Sequence, residues 1–308
     1  MLRILYMGTP DFSVAPLKKL LEYKDKYEIV GVATNKDKPV GRKQILTPSP
    51  VSILAEENGI TAYKYDKIRI EGVEDIKNLN PDLIITCAFG QILSQEIIDI
   101  PKYGVINIHA SILPKYRGAS PVHYAVLNGE TETGITIMKT DIGIDTGDIL
   151  YIKRTNIGKT ETTGELMDRL SILGAEAINE SLDKIIDGEI LPVKQNDEDS
   201  SYTKIIKKQD ALIDWGKSAS EISNQVRAYL PSPVAYTFLD GEMLKIYEVA
   251  VGDKCGNIGE IISCENQLEI GTANGSIKIL TIQKAGGKAM PIKDFLRGNK
   301  LQKGSILG

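Results

Sequence analysis

The sequence predicts an α/β protein: a doubly wound, mostly parallel sheet over residues 1–187, followed by a small C-terminal β-barrel of OB type over 209–308. Short apolar runs alternate with helix-period patterns through the first part, which is the mark of βαβ units. Composition then turns polar and aperiodic over 188–208, the pattern of a linker. Beyond it, short strand patterns are punctuated by Gly and Asn, as in a small barrel. Length agrees, because 308 residues suffice for about two domains, each with its own core.

The elements follow in order. Leu2 to Met7 reads as the first strand, and Gly8-Thr9-Pro10-Asp11 turns into a helix whose Val14, Leu17, Leu20 and Leu21 keep the helical period. Ile29 to Thr34 reads as a strand, Val51 to Glu57 as a helix and Leu83 to Thr86 as a strand, with a further strand at Gly104 and a long helical region over 161–186. The barrel candidates are a helix near Ser220 to Tyr229 and strands at Val234 to Phe238, Leu244 to Val249, Ile258 to Ile262, Leu268 to Ile270 and Ile277 to Ile282.

Composition narrows the class. Apolar residues at 42% and charged residues at 25% fit a globular domain and exclude a disordered chain. Cys87, Cys255 and Cys264 are too scattered for a disulfide framework, and two histidines cannot build a metal cluster at a recognised spacing, so no metal is expected. No run approaches about 20 apolar residues, so no membrane partner is expected. The start MLRILYMG reads as a strand rather than a leader, and a cytoplasmic monomer is expected.

Two nucleotide motifs fail. A single glycine opens the first turn, so Met7-Gly8-Thr9 is no dinucleotide fingerprint, and Lys153 stands where a phosphate loop ending in Gly158-Lys159-Thr160 needs its first glycine.

The stretch GVINIHASILPKYRGASP, residues 104–121, concentrates the chemistry. Asn107 and His109 interrupt an apolar strand two residues apart, so both point to one face near the strand's C-terminal end, where open α/β sheets bind ligands. One such residue would read as a satisfied polar group, but two on one face before a proline-bracketed loop favour a site. Downstream, DIGIDTGD offers three carboxylates, and Ile152 excludes a calcium loop by occupying the position of its bidentate acid. A carboxylate beside an imidazole fixes its tautomer, and Asp145 is chosen for that role over Asp141 and Asp148, although spacing alone does not separate the three. His123, at a helix start, reads as structural.

Two basic features suggest an anionic partner. In the segment 35–50, Lys36, Lys38, Arg42 and Lys43 face the single acid Asp37, and a connection of this length without secondary structure is often functional. In the C-terminal part, 11 basic residues balance 11 acidic ones, yet Lys278, Lys284, Lys288, Lys293, Arg297, Lys300 and Lys303 have only Asp294 among them.

These residues carry a resemblance. Asn107-Ile108-His109-Ala110-Ser111-Ile112-Leu113-Pro114, Arg117-Gly118-Ala119, Pro121 and Asp145-Thr146-Gly147 resemble the signature of the 10-formyltetrahydrofolate-dependent formyltransferases. Met7 to Phe12, the basic segment at 35–50, the linker and the barrel are similar to those members of the family that formylate methionyl-tRNA. The resemblance covers essentially the whole chain, with Ile112 where the family usually has Leu, a volume-conserving change.

The resemblance implies a Rossmann-like formyltransferase domain and a metal-independent transfer of the formyl group of 10-formyltetrahydrofolate to the amine of initiator methionyl-tRNA, for translation initiation. It implies that Asn107, His109 and Asp145 are catalytic. Folate would lie against Ser111, Ile112, Leu113 and Pro114, whose backbone groups would match the pterin ring. Lys38, Arg42, Lys43, Lys284, Lys288 and Lys293 would contact tRNA. The alternative acceptor is an amino sugar on a nucleotide. A non-enzymatic RNA-binding module is disfavoured by the coincidence of Asn107, His109 and Asp145.

Overall fold

The computed structural model describes residues 1–41 and 43–308, and their contacts divide the chain into two units. The first holds residues 1–121, 132–156 and 167–203; the second holds 122–131, 157–166 and 204–308.

In chain order, the strands of the first unit are β1 (Leu2–Gly8), β2 (Tyr27–Asn35), β3 (Lys38–Val40), β4 (Ile45–Thr47), β5 (Ala62–Tyr65), β6 (Leu83–Cys87), β7 (Val105–His109), β8 (Arg117–Gly118), β9 (Glu132–Lys139), β10 (Ile149–Asn156) and β11 (Tyr202–Thr203). Seven of them form one sheet in the order β10-β9-β7-β6-β1-β2-β5. β1, β2, β5, β6 and β7 run parallel, β9 pairs antiparallel with β7, and β10 antiparallel with β9. The helices are α1 (Val14–Leu21), α2 (Pro50–Glu57), α3 (Ile68–Glu71), α4 (Val73–Leu79), α5 (Gln95–Ile98), α6 (Pro121–Leu127), α7 (Thr163–Ile186), α8 (Ala219–Ala228) and α9 (Ile292–Gly298).

Helices cover both faces of the sheet, the arrangement that fully apolar parallel strands require. On one face Leu5, Met7, Ala33, Ile84 and Val105 pack with Ile68 of α3, Ile76 of α4 and Ile97 of α5. On the other, a Cβ placed on Gly174 of α7 would lie 3.2 Å from Ile108 of β7 and 3.8 Å from Ile135 of β9, so α7 approaches the strand that carries Asn107 and His109. The Ser171 hydroxyl donates to the Phe12 carbonyl and fixes that approach near α1. Burying each Leu or Ile of this core is worth about 1.5–3 kcal/mol.

The structure corrects one expectation about an irregular segment. The connection at 35–50 is not free of secondary structure, since β3 and β4 pair as an antiparallel hairpin. The sequence concealed it because Pro39 and the neighbouring charges obscure the strand period. Of the expected linker 188–208, residues 188–203 group with the first unit, where Val193 bridges Ile149 and β11 pairs in parallel with β8, and residues 204–208 group with the second.

The second unit carries β12 (Tyr236–Leu239), β13 (Glu242–Gly252), β14 (Ile261–Ser263), β15 (Leu268–Gly271), β16 (Ser276–Lys284) and β17 (Met290–Pro291). The antiparallel order is β12-β13-β16-β15-β14, with β17 on β16. The final residues join the two ends of this path: the Leu307 N–H donates to Gly259 next to β14, and the Gly308 N–H donates to Phe238 of β12. This curls the sheet into a small barrel around Leu244, Ile246, Leu268, Ile270, Ile277 and Ile279. Arg227 of α8 ties 122–131 and 157–166 into the same unit by donating to the carbonyls of Val126 and Glu161.

Candidate active site

The site forms where β7 ends. Alternation along the strand turns Asn107 and His109 to one side, and both face the carboxylate of Asp145. His109 is buried at 5% exposure, its Nδ1 3.6 Å from Asp145 Oδ2 and its Nε2 3.0 Å from the Tyr116 carbonyl. A carbonyl only accepts, so Nε2 carries a proton. Asn107 Nδ2 stands 3.5 Å from Asp145 Oδ1, while its Oδ1 accepts from the Thr86 hydroxyl at 2.9 Å. Thr86, opposite Asn107 in the β6–β7 pairing, thereby turns the amide N–H groups of Asn107 toward the site. The sequence reading missed Thr86, because only the strand register shows which residue stands beside Asn107.

Asp145 sits at φ +54°, a left-handed conformation that Asp and Asn tolerate better than most residues. The Gly118 N–H donates to Asp145 Oδ2 at 2.7 Å. Gly118 itself has φ +104°, and a Cβ there would lie 2.6 Å from the Thr203 carbonyl, so glycine allows this backbone to reach both partners. The other two carboxylates separate cleanly. Asp141 accepts from the Gly143 N–H and the Thr146 hydroxyl and braces its own turn. Asp148 enters through its backbone, its carbonyl accepting from the Lys139 N–H.

The loop after His109 is stiffened from within. The Thr136 hydroxyl donates to the Ser111 carbonyl at 2.6 Å and accepts from the Leu113 N–H at 3.2 Å, while the Ser111 hydroxyl donates to the Lys115 carbonyl. Ser111 and Leu113 are buried, whereas Ile112 and Pro114 keep partly exposed side chains. The Ile112 and Pro114 carbonyls accept from the Lys115 and Ser201 N–H groups. Much of the loop's backbone is thus engaged inside the protein.

Arg117, expected only as part of a motif, is 1% exposed, and its guanidinium reaches Gln195, Tyr202 and Asp197 at 3.0, 3.0 and 2.9 Å. Burial disfavours its charge, but the bonds to Tyr202 and Asp197 outweigh that and hold its pKa above the ordinary value. A polar recess of about 420 Å³ is lined by Lys139, Thr140, Asp141, Thr146, Gly147, Asp148, Lys194, Gln195 and Asp197. Neither Asn107 nor His109 lines it.

The basic residues are dispersed. Lys38 and Lys43 are exposed on the hairpin, while Arg42 lies outside the described residues. The single acid of that segment, Asp37, is paired with Lys64 at 2.8 Å, and Lys36 with Asp66 at 2.6 Å. In the barrel, Lys284 pairs with Glu242 at 2.9 Å, whereas Lys288 and Lys293 form no ion pair among the described residues. His123 is shifted below its ordinary pKa by burial, partly opposed by a backbone hydrogen bond at Ser232, as suits a structural residue.

An amide donor, an imidazole and a carboxylate converging beside a strand end form a site for acyl-type group transfer, with a donor for a developing oxyanion and a carrier for a proton. The formyl transferase family matches residues 2–182, and the formyl transferase C-terminal domain matches residues 205–300. The chain belongs to the formyl transferase family. It is 47% identical over 309 residues to the methionyl-tRNA formyltransferase of Citrifermentans bemidjiense, covering 100% of this chain and 96% of the relative. It is 43% identical over 313 residues to that of Bacillus subtilis, covering 100% and 98%. An N-formyltransferase from Helicobacter canadensis, solved with folinic acid and dTDP-3-aminofucose, superposes with a TM-score of 0.70 at 24% identity, over 92% of this chain and 100% of that one. The sugar 3N-formyl transferase WlaRD, solved in the presence of dTDP and 5-N-formyl-THF, gives 0.67 at 25% identity, over 94% and 99%. No helix among the described residues is long and apolar enough to cross a membrane.

Proposed function

We propose that this chain transfers the formyl group of 10-formyltetrahydrofolate to the free amine of initiator methionyl-tRNA, in the cytoplasm and as a monomer. The convergence of Asn107 and His109 on Asp145 carries the chemical part of this reading. The acceptor follows from the full-length similarity to methionyl-tRNA formyltransferases at 43–47% identity. The amine attacks the formyl carbon and forms a tetrahedral intermediate, whose oxyanion accepts an N–H from Asn107. His109 takes the amine's proton and delivers it to the folate nitrogen as the carbon–nitrogen bond to folate breaks, leaving tetrahydrofolate and the formylated aminoacyl end. Asp145 orients the imidazole and stabilises it while charged.

Residues 1–187 serve as the catalytic domain in this reading, 188–208 as its linker and 209–308 as the tRNA-binding domain. Folate lies against Ser111, Ile112, Leu113 and Pro114, with the partly exposed Ile112 and Pro114 side chains offering apolar contact. Lys38, Arg42, Lys43, Lys284, Lys288 and Lys293 meet tRNA phosphates, Lys284 the least because of Glu242.

The test is direct. The purified chain is incubated with 10-formyltetrahydrofolate and either methionyl-tRNA or an amino-sugar nucleotide, and the formylated product is identified. Formyl-methionyl-tRNA is expected, while formylation of the sugar alone would transfer the reading to the second acceptor. Arg42→Lys keeps the charge but loses the guanidinium's planar fork, so it should lower formylation of methionyl-tRNA while sparing folate affinity. Wild-type behaviour would remove Arg42 from the acceptor contacts.

A further inference from the structure

We infer that Gln195 is a positioning residue for Asp145, an inference that rests on the catalytic reading of that carboxylate. Gln195 is 6% exposed and belongs to the segment whose sequence reads as a polar linker. Its Nε2 donates to two carbonyls, that of Asp145 at 2.9 Å and that of Gly147 at 2.7 Å. Its Oε1 accepts from Arg117 Nε at 3.0 Å.

Each of these bonds bears on the carboxylate. The left-handed backbone at Asp145 is disfavoured for a residue with a side chain, so it persists only where its surroundings hold it. Gln195 grips that backbone at Asp145 and again at Gly147, spanning the turn. Through Arg117 it is also tied to the strand residue next to Gly118, whose N–H holds Asp145 Oδ2 at 2.7 Å. One amide therefore couples the main chain beneath the carboxylate to the main chain that binds it. The pairing of β11 with β8 and the bond from the Arg117 N–H to the Ser201 carbonyl at 2.8 Å keep the whole 195–203 segment in register with this clamp. No other side-chain type fits as well: the site asks for two donors on one side and an acceptor on the other, which is the primary amide's inventory.

The Gln195→Glu variant isolates the effect. It keeps the shape and the acceptor for Arg117, but an ionised carboxylate faces the two carbonyls with no proton to donate. Formylation of methionyl-tRNA by Gln195→Glu and Gln195→Ala should show kcat lowered by about 10- to 100-fold, the scale of a misplacement near 1 Å, with KM for 10-formyltetrahydrofolate within about twofold. The wild-type to Gln195→Glu ratio should narrow as pH falls and protonation returns a donor. In an Asp145→Ala background, Gln195→Ala should change the residual rate by less than about twofold, because the group it positions is gone.

Two results would overturn the inference while leaving the catalytic reading intact: an inactive Asp145→Ala beside Gln195 variants with wild-type kcat, or the same fold-loss from Gln195→Ala in both backgrounds. A fully active Asp145→Ala would instead remove the catalytic reading itself. If Gln195→Ala fails to fold, the isosteric Gln195→Glu, combined with Asp145→Ala, decides the question in the same way.

Discussion

Asp145→Asn separates the charge of this carboxylate from its shape. Asparagine is among the side chains most at ease at φ +54°, so the loop should keep its backbone. The amide has one acceptor where the carboxylate has two. If its oxygen stays on the Gly118 N–H, its NH2 group faces Asn107 Nδ2; if it turns, the NH2 group faces Gly118 and His109. Either orientation sets donor against donor.

The magnitude follows from the distances. At 3.6 Å, a carboxylate and a transiently protonated imidazole attract by about 4–5 kcal/mol at an effective dielectric constant near 20. The amide dipole recovers part of this, and each 1.36 kcal/mol lost is about one decade in rate, so kcat should fall by roughly 10²- to 10³-fold. Formyl-methionyl-tRNA production at saturating substrates measures kcat, and a circular-dichroism melt checks that Tm moves little. Activity within about threefold of wild type would refute the assignment of charge stabilisation to Asp145. Asp141→Asn is the internal control: its carboxylate serves its own turn, and its rate should stay near wild type.

The other predictions are narrower. Thr86→Val removes the donor that orients Asn107 and should lower kcat by about tenfold, whereas Thr86→Ser restores it; equal rates for the two would refute the orientation. Lys288→Ala and Lys293→Ala should each flatten the log–log salt dependence of tRNA binding by about 0.7–0.9, and Lys284→Ala by less because Glu242 already pairs with it; unchanged slopes for all three would make these solvated surface charges. In the barrel, burial pushes Glu269 up, but hydrogen bonds from Lys254 and Ser276 and the charges of Lys254 and Lys278 outweigh it, so its pKa lies below the ordinary value. A depressed folded-state value stabilises above the unfolded pKa and is lost as pH falls through the folded one. Lys254→Met should therefore lower Tm at about pH 7, with the difference shrinking below about pH 4; a constant difference would refute the pairing.

What the sequence disclosed and what it concealed divide along sequence separation. The βα alternation, the long helix α7 and the shared face of Asn107 and His109 are local patterns, and they are legible because period and strand alternation act within a few residues. Asp145 is chosen among three carboxylates that spacing alone does not separate, since the distinction lies in which turn each one braces. Thr86, Gln195 and the burial of Arg117 left no local signal. Each depends on register or on a segment folding back across the sheet. Within the polar run, Gln195 and Asp197 bond to residues of other loops, a use that in one dimension looks the same as satisfying water.

The antiparallel turn at the sheet edge explains why these distant residues meet at β7. Because β9 runs against β7, Lys139 ends opposite Ile106, one residue before Asn107, and the Thr140 N–H that opens the connection to β10 donates to the Val105 carbonyl. The turn carrying Asp145 therefore needs only a few residues to return beside the amide, and the bond from Lys139 N–H to the Asp148 carbonyl at 2.9 Å closes it behind the carboxylate. Gly147 makes that closure possible, since a Cβ there would lie 1.9 Å from the Lys139 carbonyl. A turn so tightly closed leaves its outer carbonyls, those of Asp145 and Gly147, without partners from its own strands. A buried carbonyl without a donor costs about 1–3 kcal/mol, and Gln195 supplies both donors from one side chain. The recruitment of a downstream segment to this edge thus follows from the geometry that places the carboxylate, and the two features are one structural solution.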